Sequence, residues 1–285
     1  MARTPAGRTV RLMFRTIVIG YDTPERSAEN SALAEALRDP DDGTLLLASA
    51  VSSQPLEIGG LTFGEDLGVM CETTEALLAE ARDALPAPDH VRTRAIPAES
   101  PARMLAELAE AEDADLVVVG AGRRRELGLP LPGTTAEQVL RDAPCPVAVV
   151  PPRYTGGDVR RIGVAYDGSP EADAALSAAD SLARDLNAAL TVYCLAEQSS
   201  AAAGSAPEAS WAALGERLSR TPSAAVGTAT RRYRPETQIL HGVSVEEVAN
   251  RAYGVVDLLF VHGALLGSNV SGAFVRAAGC PVVVS

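Results

Sequence analysis

Lysine is absent from this sequence of 285 residues, and arginine supplies all 25 of its basic side chains. The absence excludes the phosphate-binding lysine of a Walker loop and a Schiff-base lysine. Aromatic residues make up only 4% of the chain, so its cores must be built mainly from Ala, Val and Leu. The four cysteines form no metal-binding spacing and no disulfide pattern, so we expect small buried thiols in a reducing compartment.

Long apolar segments are also missing. No run approaches the roughly 20 residues of a membrane helix, and the arginine-containing N-terminus has no apolar core of a signal peptide. The formal net charge of −12 disfavours binding to nucleic acid, whose phosphates it would repel. These features predict a cytoplasmic protein that binds neither membranes nor nucleic acid. We expect residues 1–13 to be a disordered leader, with a short ordered arm as the alternative.

Three sequence blocks occur twice in the same order, which indicates a duplicated domain. RTIVIGYDTPERSAENSALAEAL (15–37) returns as RIGVAYDGSPEADAALSAADSLA (161–183). ADLVVVGAG (114–122) returns as VDLLFVHGA (256–264), and DAPCPVAVVP (142–151) returns as AAGCPVVVS (277–285). The repeat predicts a first domain over 14–152, a linker over 153–159 rich in Gly and turn residues, and a second domain over 160–285.

Short continuous apolar runs alternate with amphipathic helical patterns in each copy. In the first copy, strands are predicted at 16–21, 44–50, 91–96, 115–120 and 146–150, and helices at 25–38, 70–85, 101–112 and 134–142. Such alternation is typical of a doubly wound α/β domain, here with a five-stranded parallel sheet in each copy. Ligands of these folds bind beyond the carboxyl ends of the strands. Asp22 and Gly120 would meet there if the first and fourth strands are neighbours.

The segment after the fourth strand has the features of a phosphate loop. It reads Gly-Ala-Gly-Arg from Gly120 to Arg123, and Gly133, Thr134 and Thr135 then open a helix. Glycine lets the backbone approach a ligand closely, and the free N–H groups of a helix start attract an anion. The two threonine hydroxyls add further donors.

With these motifs, both halves of the sequence resemble the universal stress protein family, as a tandem member with the adenine-nucleotide alpha-hydrolase-like fold. The resemblance implies that Asp22 contacts the nucleoside, that the strand end near Ala50 lines the adenine pocket, and that Gly120, Gly122 or Arg123, Gly133 and Thr134 surround the phosphates. It implies ATP or a related adenine nucleotide as ligand, with Mg²⁺ as a candidate companion. It also implies pairing of the two domains through their last strands, and it leaves a homodimer of chains open.

The first loop departs from the family pattern at Arg123, which stands where a second glycine is usual unless Gly122 serves instead. A left-handed backbone at a residue other than glycine costs about 1–2 kcal/mol. A bond from arginine to phosphate contributes about 1.5–3 kcal/mol. Because these magnitudes are comparable, Arg123 is either tolerated as a phosphate contact or part of a solvated arginine loop over 123–125.

The second loop departs further. Asp167 is kept, but Gly263 and Gly267 are only four positions apart, against 13 between the corresponding glycines of the first copy. Four residues span at most about 14 Å, too little to surround a triphosphate. Residues Asp167, Gly263, Gly267 and Ser268 therefore form a weaker second candidate site, and Gly267-Ser268 alone is better explained as a helix N-cap.

These observations predict a regulatory protein that binds an adenine nucleotide in its first domain and has a degenerate second domain. The alternative is a nucleotide-free module of the stress response that acts through protein partners. The sequence contains no recognisable nucleophile–base pair or metal cluster, so we expect no enzyme, or at most a very slow ATPase.

Overall fold

The computed structural model describes residues 13–52, 56–58, 61–63, 66–121, 125–126, 129–130, 134–196, 236–241, 245–264 and 279–285. Of the expected leader it describes residue 13 alone. The first half contains, in chain order, β1 (Thr16–Gly20), α1 (Pro24–Leu37), β2 (Thr44–Val51), β3 (Leu56–Ile58), β4 (Leu61–Phe63), α2 (Leu67–Asp83), β5 (Val91–Pro97), α3 (Pro101–Ala111), β6 (Leu116–Gly120), β7 (Arg125–Glu126), β8 (Leu129–Pro130), α4 (Thr134–Asp142) and β9 (Val147–Val150). The second half contains β10 (Arg161–Tyr166), α5 (Pro170–Asp185), β11 (Ala189–Ala196), β12 (Glu236–His241), α6 (Val245–Ala252), β13 (Leu258–Val261) and β14 (Val282–Val284).

Each strand and helix predicted for the first copy is present, with bounds within three residues of the prediction. The start of α3 shows why. Ser100 accepts a hydrogen bond from the Arg103 backbone N–H at 3.3 Å, and Pro101 takes the first helical position, where its missing N–H costs nothing. The short hairpins β3–β4 and β7–β8 were not predicted, because their strands are too short for a periodic pattern.

One ten-stranded sheet runs through both halves in the order β12-β11-β10-β13-β14-β9-β6-β1-β2-β5. Within this sheet, all strand pairs inside a half are parallel, which confirms the predicted doubly wound α/β class with five parallel strands per copy. The halves meet where β14 pairs antiparallel with β9. This is the pairing through last strands that the resemblance implies.

The core lies on both faces of the sheet, since the central strands are buried along their whole length. On one face, a single hydrophobic cluster continues from the first half into the second and joins residues such as Ile17 and Leu116 to Ile162 and Phe260. The opposite face has a separate cluster in each half. Because one cluster crosses the junction, experiments on either half are best done with the whole chain.

An aspartate before the fourth strand of each half fixes the start of the first strand. Asp115 accepts hydrogen bonds from the backbone N–H groups of Arg15 and Thr16 at 2.8 and 2.9 Å. Asp257 does the same for Arg160 and Arg161 at 3.0 and 2.9 Å. Burial alone would raise the pKa of Asp257, but the hydrogen bonds from Arg161 and the Arg160 backbone outweigh it and hold the pKa below its ordinary value.

The segment between β9 and β10 lies against α1. The backbone N–H of Arg153 donates to Glu29 at 2.6 Å. Gly156 has φ +78°, and a Cβ added there would lie 3.0 Å from the Ala32 Cβ. Glycine is therefore required both by the backbone conformation and by the close approach to the helix.

Candidate functional site

The carboxyl ends of β1 and β6 lie side by side, as the sequence analysis required for a site there. Each strand ends in a glycine, and the two missing side chains point to opposite faces of the sheet. A Cβ added to Gly20 would lie 3.1 Å from Leu105 on α3, and one added to Gly120 would lie 3.4 Å from Asn30 on α1. The two glycines thus leave open a crevice at the point where the strand order reverses, the usual ligand position in such sheets.

This crevice is a cavity of about 310 Å³. Its lining includes both apolar and polar side chains. The lining residues are Gly20, Tyr21, Asp22, Arg26, Asn30, Ala48, Ser49, Ala50, Pro101, Met104, Leu105, Val119, Gly120, Thr135 and Ala136. An apolar surface with a few convergent polar groups is typical of a small-molecule site, and the volume lies near the lower end of the usual range of about 300–1,000 Å³.

The predicted residues Asp22, Ala50, Gly120 and Thr135 all line this cavity. The structure therefore brings together residues from four separate segments of the first copy. Thr134 begins α4, so the N-terminal end of that helix faces the same space as Thr135. Gly122, Arg123 and Gly133 lie outside the described residues, and their predicted phosphate contacts stay predictions.

Asp22 precedes α1 and forms an ion pair with Arg26 in the first turn of that helix. The carboxylate is largely exposed at 63%, whereas the arginine side chain is 24% exposed. The pair places a guanidinium at the cavity and offsets the negative charge of Asp22 there. An anionic ligand would otherwise meet an uncompensated carboxylate.

Asn30 lies on α1 with only 3% of its surface exposed. Its Nδ2 donates to the Gly20 carbonyl at 3.0 Å. Its Oδ1 is buried and accepts no hydrogen bond from any residue that the structure describes. A buried polar atom without a partner is unusual and costs free energy.

The equivalent place in the second half carries different side chains. Strand register pairs Ile17 with Leu116 in the first half and Ile162 with Leu258 in the second, which makes Gly120 equivalent to His262. The last strands agree, because Ala121 donates to the Val150 carbonyl as Gly263 donates to that of Ser285. Gly263 is thus equivalent to Ala121, which corrects its assignment to the Gly120 place.

All three positions that open the first cavity carry larger side chains in the second half. His262 replaces Gly120, Ala165 replaces Gly20, and Leu176 stands at the Asn30 place, six residues after the proline that begins each helix. Their exposed fractions are 2%, 0% and 4%, so all three side chains are buried.

Asp167 lies beside His262. Its Oδ1 accepts from the Ser169 backbone N–H at 3.0 Å and from the Ser169 hydroxyl at 2.7 Å, and its Oδ2 lies 3.3 Å from His262 Nε2. Burial alone would raise the pKa of Asp167, but the Ser169 hydrogen bonds, helped by His262, hold it below its ordinary value. The carboxylate is thus engaged within the fold. The other two residues of the second candidate site, Gly267 and Ser268, lie outside the described residues.

Comparison with known proteins agrees with the fold and the repeat. The model of the universal stress protein family matches residues 13–151 and again 158–252. The chain belongs to the universal stress protein family. A universal stress protein encoded beside the QAH/OAS sulfhydrylase of Thermus aquaticus is 31% identical over 140 residues, 48% of this chain and 99% of that protein.

Two solved structures extend the similarity over both halves of this universal stress protein. A universal stress protein from Archaeoglobus fulgidus DSM 4304 superposes with a TM-score of 0.69 at 19% identity, covering 94% of this chain and 95% of that one. A functionally unknown protein from Pseudomonas aeruginosa PAO1 gives 0.59 at 16% identity, covering 97% and 94%. At these identities the likeness establishes the fold.

The described part of this universal stress protein contains no helix long and apolar enough to cross a membrane. Within the same residues, no group of three or more His, Cys, Asp and Glu side chains is arranged to hold a metal ion.

Sequence reasoning missed three residues of this universal stress protein that lie at the cavity of the first half or at its equivalent place in the second half. Arg26 could have been found from its spacing of four from Asp22 on one helical face. Asn30 gives no such signal, because a polar residue in a predicted amphipathic helix is ordinarily assigned to the surface. His262 was overlooked because the adjacent Gly263 invited alignment with Gly120.

Proposed function

We propose that this chain is a regulatory universal stress protein that binds one molecule of ATP or a related adenine nucleotide in its first half and none in its second. The observation that carries the proposal is the contrast between the halves. A cavity lies at Gly20 and Gly120 in the first half, whereas the equivalent positions of the second half carry the buried side chains of Ala165 and His262.

The cavity offers suitable surroundings for each part of a nucleotide. The apolar side chains of Ala50, Met104 and Leu105 suit the flat face of a base. The N-terminal end of α4 with Thr135 suits phosphate oxygens, because free N–H groups and the helix dipole favour negative charge. Arg26 lies at the same cavity and supplies a positive charge within it.

Hydrolysis of a bound nucleotide should be very slow or absent. Asp22 is the one carboxylate among the described lining residues, and its ion pair with Arg26 occupies it. A carboxylate held in this way is a poor base for activating water. The described side chains also supply too few ligands for Mg²⁺, so any such ion would be bound mainly by the nucleotide phosphates.

Isothermal titration of the full-length chain with ATP and Mg²⁺, repeated with AMP, tests the proposal. We expect one binding site per chain with ATP. Two sites would refute the proposed closure of the second half. No binding of either nucleotide would refute the proposal as a whole and favour the nucleotide-free module.

A further inference from the structure

We propose that Asn30 recognises a ribose hydroxyl, with its Oδ1 accepting a hydrogen bond from the 2′- or 3′-hydroxyl of the bound nucleotide. This inference rests on the proposed function and assigns the side chain that distinguishes a ribonucleotide from its deoxy forms.

The orientation of the Asn30 amide is fixed by a single hydrogen bond. The Gly20 carbonyl can only accept, so the atom 3.0 Å from it must be the Nδ2 donor. The other terminal atom is therefore the acceptor Oδ1. It is buried and has no hydrogen-bond partner among the described residues.

This acceptor faces the opening left by Gly120. A Cβ at that position would lie 3.4 Å from Oδ1 and 3.7 Å from Nδ2, so any larger side chain would cover the amide. Asn30 and Gly120 both line the cavity, so the acceptor lies within the cavity wall. A buried acceptor left unpaired costs about 1–3 kcal/mol, which a donor on the ligand would remove.

The chemistry of the acceptor restricts which part of a nucleotide lies against it. Phosphate oxygens at neutral pH offer no proton and would be repelled by Oδ1. Ribose hydroxyls can donate, and ribose connects base to phosphates. Asn30 lines the same cavity as the apolar side chains of Ala50 and Met104 and the helix start at Thr135.

The second half offers an internal comparison. Its residue at the Asn30 place is Leu176, which is 4% exposed and has no acceptor. The change from amide to hydrocarbon accompanies the change from Gly120 to His262, so the asparagine occurs in the half whose fourth strand ends in glycine.

The experiment measures the affinities of ATP, 2′-deoxy-ATP and 3′-deoxy-ATP for the wild-type chain and for Asn30→Ala. In the wild type, removing the recognised hydroxyl should weaken binding by roughly 5- to 150-fold, the loss expected when a buried acceptor is left unpaired. In Asn30→Ala, ATP and the deoxy nucleotides should bind with equal affinity. The variant Asn250→Ala, which removes an exposed asparagine on α6, should keep the wild-type discrimination.

The comparison remains informative if Asn30→Ala is less stable, because all three nucleotides are measured on the same folded fraction. A purely structural Asn30 would weaken their binding by equal factors and would overturn the inference. Equal binding of ATP and both deoxy nucleotides to the wild type would overturn it too, and would direct attention to the adenine amino group. Failure of the wild type to bind ATP would instead refute the proposed function.

Discussion

Replacing Gly120 with alanine should separate binding from stability. The new Cβ would lie 3.4, 3.7 and 4.0 Å from Oδ1, Nδ2 and Cγ of Asn30, which are ordinary van der Waals distances. Gly120 does not have a positive φ, so alanine fits its backbone conformation without strain. The fold should therefore accept the substitution.

The substitution should have opposite effects on stability and on ATP affinity. Glycine to alanine at a compatible position stabilises a protein by about 0.4–1 kcal/mol, mainly by restricting the unfolded chain. For a chain of this size, the melting temperature should stay the same or rise by up to about 4 °C. The methyl group, however, covers the Asn30 acceptor and occupies part of the cavity, so ATP affinity should fall about tenfold or more.

Calorimetric titration and a thermal melt of the same sample measure both quantities. Gly263→Ala is a matched control in the second half, because its Cβ would contact only Ser285 and Val284 at 3.8 and 3.9 Å. That variant should bind ATP as the wild type does. Unchanged ATP affinity in a folded Gly120→Ala chain would show that the crevice is not the nucleotide site.

Three other measurements test separate parts of the structure. Arg26→Ala should weaken the binding of ATP about 10- to 150-fold but that of adenosine much less, since a charge-assisted bond to phosphate is lost. The control Arg103→Ala, which removes a similar i,i+4 ion pair, should change neither affinity. Equal losses for ATP and adenosine would contradict a phosphate contact. Asp257→Asn should lower the free energy of unfolding at neutral pH. The difference in free energy of unfolding between this variant and the wild type should shrink as the pH falls from about 4 toward the depressed folded-state pKa of Asp257, because protonation then removes the same charge from the wild type. A difference independent of pH would argue against a stabilising role of the Asp257 charge. Iodoacetamide at pH 8 should label Cys71 first in the native chain, as mass spectrometry would show. Burial raises the pKa of the other three thiols, that of Cys145 to about 11, that of Cys194 to about 11 and that of Cys280 to about 12. Rapid labelling of any of these three would be inconsistent with their burial.

The regular elements could be predicted because their sequence patterns follow directly from burial. A strand such as β6 is covered by helices on both faces, so every position from Leu116 to Val119 must be apolar. Helix starts such as Ser100-Pro101 are local events that depend on a few neighbouring residues. Neither depends on distant parts of the chain.

The site was harder to predict because its character depends on contacts between distant segments. Asn30 is buried only because the ends of β1 and β6 meet beside α1, and no local pattern reports that. The His262 substitution is visible in the sequence, but its meaning depends on strand register, which a shift of one residue reverses. Asp22, Gly120 and Thr135 were found because they stand at strand ends and at a helix start, whereas Ala50 was found because the family resemblance supplied the long-range information.

The buried His262 at the position equivalent to Gly120 has a consequence for how this protein would respond to a ligand. In a homodimer of identical subunits, a substitution changes both sites, so neither can be lost alone. Fusion of the two copies into one chain removes that constraint, and one half can become structural while the other keeps its cavity. With the one site per chain that we propose, the chain holds no second site with which to cooperate, so its occupancy would follow nucleotide concentration gradually rather than as a sharp switch.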